Sequence, residues 1–522
     1  MPILTTSRRT SECRRLRKAS PLPKAPCGKQ ASFSACANAK MHAVMQSETN
    51  VRTSASTVGL AIVCGAAAVL FLTFLVFDLR RDHGNTFSVF YFAAKAVATG
   101  GDVYKSHSPG SDRCEYVYPP LFAVLVMPLT YFKVMTATRI WMLIDACLTV
   151  LALVLGSIEA ARRFQIPATK TTIAVIASTS MLLGIGEIKT ELSTSQTDTL
   201  VLICFALALA WLDQWPILCG IALGFSCNIK YQTLIALPYL LLTRRWKAAA
   251  STTVSSVGFA VLPGLVVGFA RNTQYLRRAL GGLGNFASIN SHGAASTVSL
   301  TWIRSISITS AMGRLLDSCG INTSYAFLLA PLAGLACLAV GCRLYQRHGI
   351  EMFPARPRRT LCVNPLEGLV ALEWTGLMVT WLVFGPEVSR RHMYVLLLMD
   401  VIAVTLLFAS RGRQRLLLVA GLVVCQVGLR MPSGSGLGLW TTAFNWAGGA
   451  SWSLLVFYAT LLSSGLDWVR RLSGPPILKA ASAARTVPDW RVRLQSGVEL
   501  PSTEVKTSYR FSFKLPRDLA LK

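Results

Sequence analysis

Apolar residues in this chain come in about a dozen stretches, each close to the ~20 residues that carry a helix across a hydrocarbon core. They fall at approximately 57–77, 138–158, 171–187, 197–213, 216–229, 231–243, 248–270, 324–343, 366–385, 393–409, 415–430 and 449–469. Val58–Phe77, Val254–Ala270, Phe327–Cys342 and Leu416–Gly428 contain no charged residue. The pattern predicts an all-α, polytopic transmembrane helix bundle of about twelve spans. Two segments are ambiguous. Pro119–Phe132 is about fourteen residues long with Pro128 inside it, which fits a re-entrant or half-inserted segment. The pair 216–229 and 231–243 is short for two crossings and long for one. If 119–132 crosses and 216–243 is one helix, the total is again twelve.

Charge orders the spans. Placing the basic N-terminus inside puts Arg162-Arg163…Lys170, Arg244-Arg245-Trp246-Lys247, Arg343…Arg359 and Arg411…Arg415 all on the cytoplasmic side, with the C-terminus. The alternative puts Arg162, Arg163 and Lys170 outside and Gln196 inside, so the first arrangement is preferred. The outer face then gathers residues 78–119, the TELSTSQTD stretch ending at Asp198, the 271–323 loop and GPEVSRRHM at 385–393. Lys230 sits at a helix break on the same side.

After the first span, Phe87, Phe90, Tyr91, Ala94, Val97 and Ala98 recur at helical spacing, with Thr86 or Asn85 as N-cap and Gly100-Gly101 as the stop. This predicts a juxtamembrane helix lying in the interface within the first outer loop.

Composition agrees with a membrane class: residues AVILMFWYC make up 52% of the chain and charged residues only 15%. The net charge of +28 is concentrated in the tails and short loops, which argues for orientation in a membrane and against nucleic acid as a partner. Residues 1–56 and 470–522 read as basic cytoplasmic tails, the first disordered, flanking a membrane domain over 57–469. A transit peptide, or an extension ahead of Met41 or Met45, would have a similar composition to the first tail. The fourteen cysteines show no C-x-x-C pair and no zinc spacing, so no metal and no cofactor is expected. Cys114 and Cys319 share the outer side.

The run Phe87-Ser88-Val89-Phe90-Tyr91…Gly100-Gly101-Asp102-Val103-Tyr104, followed by Tyr116-Val117-Tyr118-Pro119-Pro120, resembles the signature of glycosyltransferase family 87. Ser195-Gln196-Thr197-Asp198 resembles that family's Gly-Gln-x-Asn/Asp start of a span. Cys219–Gly224, Lys230 and Arg244-Arg245-Trp246 resemble its small-residue helix, lysine and Arg-Arg-Trp turn. Gly385-Pro386-Glu387-Val388-Ser389-Arg390-Arg391-His392 resembles its Ser-Pro-x-Ser-Arg-x-x-His motif. The ordered set covers roughly residues 57–410. The resemblance implies a GT-C class enzyme of the plasma membrane, a hexosyltransferase of mannosyltransferase type. Such an enzyme moves sugar from a polyprenyl-phosphate donor to a lipid or glycan acceptor at the outer face.

That chemistry needs a carboxylate to take the acceptor proton and cations to hold the leaving phosphate. The resemblance places the base at Thr86, which cannot accept a proton in that role; a diverged, inactive member would show the same departure. Asp82 is the residue assigned, with Asp78, Asp102, Glu115 and Asp198 as further candidates. Tyr118, Gln196, Asp198, Lys230, Arg391 and His392 are the expected substrate-binding residues: a lone lysine at a helix break calls for an anion, and Arg391 offers a guanidinium fork. The bland alternative for Arg390-Arg391-His392 is snorkelling toward head groups. The 271–323 loop offers Asn290-Ser291-His292 and Arg304 for sugar contacts. Asp145, Glu373 and Asp400, within apolar spans, support a rival reading as a transporter or flippase of a lipid-linked substrate. A scaffold using its basic tails is the third reading.

Overall fold

The computed structural model describes residues 53–81, 86–106, 116–285, 300–350, 352–353, 366–386, 388–431 and 438–483. Two compact units divide the chain at Val63, and the described residues of the first, 53–63, are helical. The second, Cys64–Lys522, contains everything discussed below. Among the described residues there is no strand.

Among the described residues, seven helices are long and apolar enough to cross a membrane alone, and an eighth crossing results if Lys170–Leu183 and Ile185–Thr194, bent by 70°, count as one. Asp198–Trp211, Pro216–Ile229 and the pair Tyr231–Ile235 and Ala236–Leu242 are shorter apolar helices. Pro120–Val126 and Met127–Tyr131 form one short rod, an α-turn pair continued as 3₁₀ helix. The last helix, Gly449–Ala483, continues beyond residue 469, where the apolar pattern ends.

Helix Phe87–Ala98 forms where its spacing predicts, and Gly100 adopts φ +73° as the left-handed stop. Two expectations change. Thr86 precedes the helix but its hydroxyl makes no capping bond. The helix is also not laid on one apolar face: Phe87, Val89, Phe90, Tyr91, Ala93, Ala94 and Val97 are all buried in protein. Tyr91 ties it down by donating to the Phe132 carbonyl at 2.8 Å.

The side-chain network of one end decides the topology. Arg163 is fully buried, donating to Glu159 at 2.6 Å, to Asp213 at 2.9 Å and to the Leu209 carbonyl at 2.8 Å. Arg245 binds the same Asp213. Burial pushes the Asp213 carboxyl up, but the two guanidinium charges overcome this and hold it at about 2. Its charge therefore stabilises the fold above the ordinary carboxylate range and is lost only as pH falls toward that value. One aspartate joining the 162–170 and 243–247 turns means that both turns lie at the same end. The arrangement with a single 216–243 helix would separate them, so it fails. Helices 216–229 and 231–242 are the two arms of a hairpin broken at Lys230.

These arms are short. Fourteen residues at 1.5 Å each give about 21 Å for Asp198–Trp211 and for Pro216–Ile229, against ~30 Å of hydrocarbon. Small residues bring the hairpin against helix Trp246–Val261. A Cβ on Gly220 would lie 2.6 Å from the Thr252 nitrogen, and one on Gly224 would lie 2.6 Å from the Ser256 nitrogen. Ser255 donates to the Gly220 carbonyl at 2.8 Å, and Asn228 to the Ser256 carbonyl at 2.9 Å. Close backbones bridged by polar side chains are how helices associate where water cannot drive them together. A groove of about 590 Å³, lined by Leu182, Leu183, Leu422, Val423, Val427 and Arg430 among others, lies elsewhere on the bundle.

Candidate active site at the Lys230 helix break

The hairpin break and the turn before Asp198 are brought together at the end opposite the arginine network. Lys230 leaves the helical ladder in an extended conformation (φ −141°, ψ 118°), which releases its side chain toward the start of helix Asp198–Trp211. Its ammonium donates to Asp198 Oδ1 at 2.6 Å, and the two side chains are 3% and 1% exposed. The lysine therefore has its anion within the chain. This is the reverse of the sequence expectation, in which its isolation called for a ligand.

The turn that delivers Asp198 is strained. Ser195 sits at φ 49°, ψ 55°, in the left-handed region, at the position of the glycine in the motif it resembles. Replacing Ser195 by glycine should raise stability by about 1 kcal/mol, read as a higher denaturation midpoint in detergent, without moving Gln196. Gln196 is held from the other side, its carbonyl accepting from the Trp141 indole at 3.1 Å.

Glu191 holds the first turn of helix Asp198–Trp211. Its Oε1 accepts from the Asp198 nitrogen at 3.0 Å and from the Thr199 nitrogen at 3.4 Å. A carboxylate against the amides of a helix start is favoured twice, by hydrogen bonding and by the helix dipole. Sequence reasoning missed this role. A cap drawn from the preceding helix across a left-handed turn has no short-range signature. Asp145, expected as an isolated carboxylate in a span, belongs to the same neighbourhood, with Glu191 and Asp198 as its charged neighbours. It is fully buried, with Thr199 and Trp141 as its hydrogen-bonding neighbours. Thr149, one turn on, is bonded to the Tyr394 hydroxyl.

Aromatic residues from the first outer loop form the wall. Phe87 stacks on Trp141 with centroids 5.8 Å apart and planes at 18°. Tyr118 packs on Phe90 at 5.4 Å and Tyr116 at 5.9 Å, and its carbonyl accepts from Tyr104 at 2.8 Å. Tyr116 donates to the Pro119 carbonyl at 2.6 Å and accepts from the Ala123 nitrogen at 3.2 Å, which fixes the Tyr-Pro-Pro turn. Lys230, Asp198, Glu191 and Arg391 are the charged groups that act on the Tyr118 hydroxyl. His392 has Lys230, Asp198 and Arg391 around it. Its Nδ1 accepts from the Ser389 nitrogen at 3.2 Å, so in the neutral ring the proton lies on Nε2. Arg391 is exposed and has no hydrogen-bond partner among the described residues.

Tyr118, Gln196, Asp198, Lys230, Arg391 and His392 thus share one neighbourhood, with the position of Thr86 next to it through Phe87. Asp82 and Glu115 lie outside the described residues, as do Asn290-Ser291-His292 and Cys114. Asp102 stands apart from this group. It accepts from the Tyr104 nitrogen at 3.1 Å and from Arg278 at 2.7 Å; burial raises its carboxyl, but these partners outweigh that and hold it below its usual range. Asp78 is buried near the end of the first long helix. Arg304 is exposed. Arg390 is turned away, bonded to the Met431 carbonyl and to Asn445. Glu373 accepts from Tyr239 at 2.9 Å and Tyr345 at 3.3 Å, and Asp400 lies beside Glu187 and Gln426 in another small cavity. No group of three or more metal-ligating side chains occurs among the described residues. The model of glycosyltransferase family 87 matches residues 116–363. No curated protein matches the chain.

Proposed function

We propose that the chain, whose residues 116–363 match the model of glycosyltransferase family 87, is a membrane glycosyltransferase that transfers a hexose, mannose first among them. The donor in this proposal is a polyprenyl-phosphate sugar, and the acceptor a lipid or glycan hydroxyl at the outer face of the plasma membrane. A GT-C-type bundle of twelve crossings with both termini cytoplasmic belongs to the same proposal. The seven long helices, the bent pair, the three short apolar elements and Arg413–Arg430 supply twelve segments.

One observation carries the reading: Tyr118, Gln196, Asp198, Lys230, Arg391 and His392, from separate stretches of chain, meet at the end opposite the Arg163–Asp213–Arg245 network. An exposed, unengaged Arg391 beside the His392 ring suits a phosphate, since a guanidinium offers two parallel donors and Nε2–H a third. The aromatic wall suits the apolar face of a sugar ring. Asp82, four residues before Thr86, is the candidate for the base that the sequence proposes. The transporter reading loses part of its support, because Glu373 is satisfied by two tyrosines and Asp145 stands at the same site.

The test is hexose transfer in membranes supplied with radiolabelled polyprenyl-phosphate hexose. Lys230→Ala should reduce labelled product by about 10²-fold or more, and an equal loss in Asp82→Asn would mark Asp82 as the base. Full product from both variants would remove these two assignments, and no product from the wild type with any hexose would remove the reading.

A further inference from the structure

We infer that the Asp198–Lys230 pair changes partners during the reaction: the donor phosphate takes the Lys230 ammonium, and Asp198, so released, accepts the proton of the acceptor hydroxyl. This rests on the sugar-transfer reading and goes beyond it by assigning the base to a residue other than Asp82.

The geometry points to it in three ways. First, a lysine already neutralised at 2.6 Å by one carboxylate, with Glu191 also acting on it, is a poor anion site unless that carboxylate lets go. Phosphate binding and release of Asp198 are then one event. Second, Asp198 stays in place when its cation leaves, because Glu191 holds its backbone nitrogen at 3.0 Å. Its second oxygen, Oδ2, is buried without a hydrogen-bond partner, as is Oε2 of Glu191. Freed of its cation, a carboxylate with an unpartnered oxygen is placed to accept one proton as a general base. Third, Thr86, where the motif would put the base, adjoins this spot. Phe87 stacks on Trp141, whose indole binds the Gln196 carbonyl two residues before Asp198.

The step balances as follows. The acceptor oxygen forms the new bond to the anomeric carbon. The bond from that carbon to the phosphate oxygen breaks, and its electron pair stays on the phosphate, facing the Lys230 ammonium. The hydroxyl proton passes to Asp198 Oδ2. Glu191 is a positioning residue, acting through the backbone of Asp198.

The experiment uses the full chain in lipid nanodiscs, with polyprenyl-phosphate hexose for turnover and polyprenyl phosphate as the binding probe. Asp198→Asn should lower turnover by about 10²–10⁴-fold while the probe binds as tightly as to wild type or tighter. The probe should also raise the melting temperature of this variant more than that of wild type, since it supplies the partner that Lys230 has lost. Asp198→Glu, which keeps a proton acceptor, should recover at least about tenfold of the lost turnover. Turnover of Asp198→Asn within about threefold of wild type would overturn the inference, as would loss of probe binding together with turnover. Absence of transfer by wild type itself overturns the sugar-transfer reading, a result separate from either.

Discussion

Lys230→Met is expected to be among the most destabilising single changes in the bundle, lowering stability by about 3–5 kcal/mol. The methionine fits the volume, but Asp198 then stays buried without its cation, in the company of Glu191 and Asp145. The penalty comes mainly from the carboxylate left uncompensated, and less from the ion pair's own attraction. Adding Asp198→Asn to Lys230→Met removes that charge, so the double variant should regain stability to within about 1–2 kcal/mol of wild type. Neither variant should transfer sugar. Thermal unfolding of the two singles and the double in one detergent measures the cycle, and additive losses would show that the pair contributes little coupling.

Gly224→Val carries the second large effect. A Cβ there would run into Ser255 Oγ and lie 2.6 Å from the Ser256 nitrogen, closer than a Cβ approaches another atom, and the latter is backbone. Helix Trp246–Val261 must therefore move away. Doing so breaks the bond from Asn228 to the Ser256 carbonyl and loosens the arm that ends at Lys230. Overpacking of this kind costs about 1–3 kcal/mol, and the loss of the interhelical bonds adds to it. A displacement of about 1 Å at Lys230 would cost about 10²-fold in transfer, because reacting groups depend steeply on placement. Gly258→Val on the facing helix, where a Cβ meets nothing within 4 Å, is the control and should be nearly neutral. Equal losses in both variants would place the effect in helix propensity and not in helix–helix contact.

How far the residues disclose this arrangement differs from place to place. The arm Pro216–Ile229 is delimited by Pro216 at its first turn and by the polar Lys230, and both signals are local. Basic loops indicate which ends meet, because each lies within a few residues of a span. The gathering of Tyr118, Gln196, Lys230 and His392 at one end follows from that alternation. Its inner logic does not. Lys230 looks solitary along the chain because its anion stands thirty-two positions earlier, across the bundle. Glu191 is one more polar residue of an outer stretch until a left-handed turn folds it back on Asp198. Arg163 has the pattern of an ordinary flanking cation, yet it is sealed between Glu159 and Asp213. The juxtamembrane helix is recognisable by period alone, and period cannot tell lipid from protein as the thing that covers an apolar face.

Helices of about 21 Å have a mechanical consequence for the surrounding lipid. Their ends at the Arg163–Asp213–Arg245 network are pinned by the shared aspartate, so the opposite tips stop roughly 9 Å short of an undisturbed hydrocarbon layer. Lipid beside the exposed arm Pro216–Ile229 must thin, or water must fill the gap. Either way the leaflet on the Lys230 side forms a dimple over the hairpin. An amphiphile arriving there brings its head group down to the lysine without leaving its own layer, so the membrane's shape does part of the work of delivery.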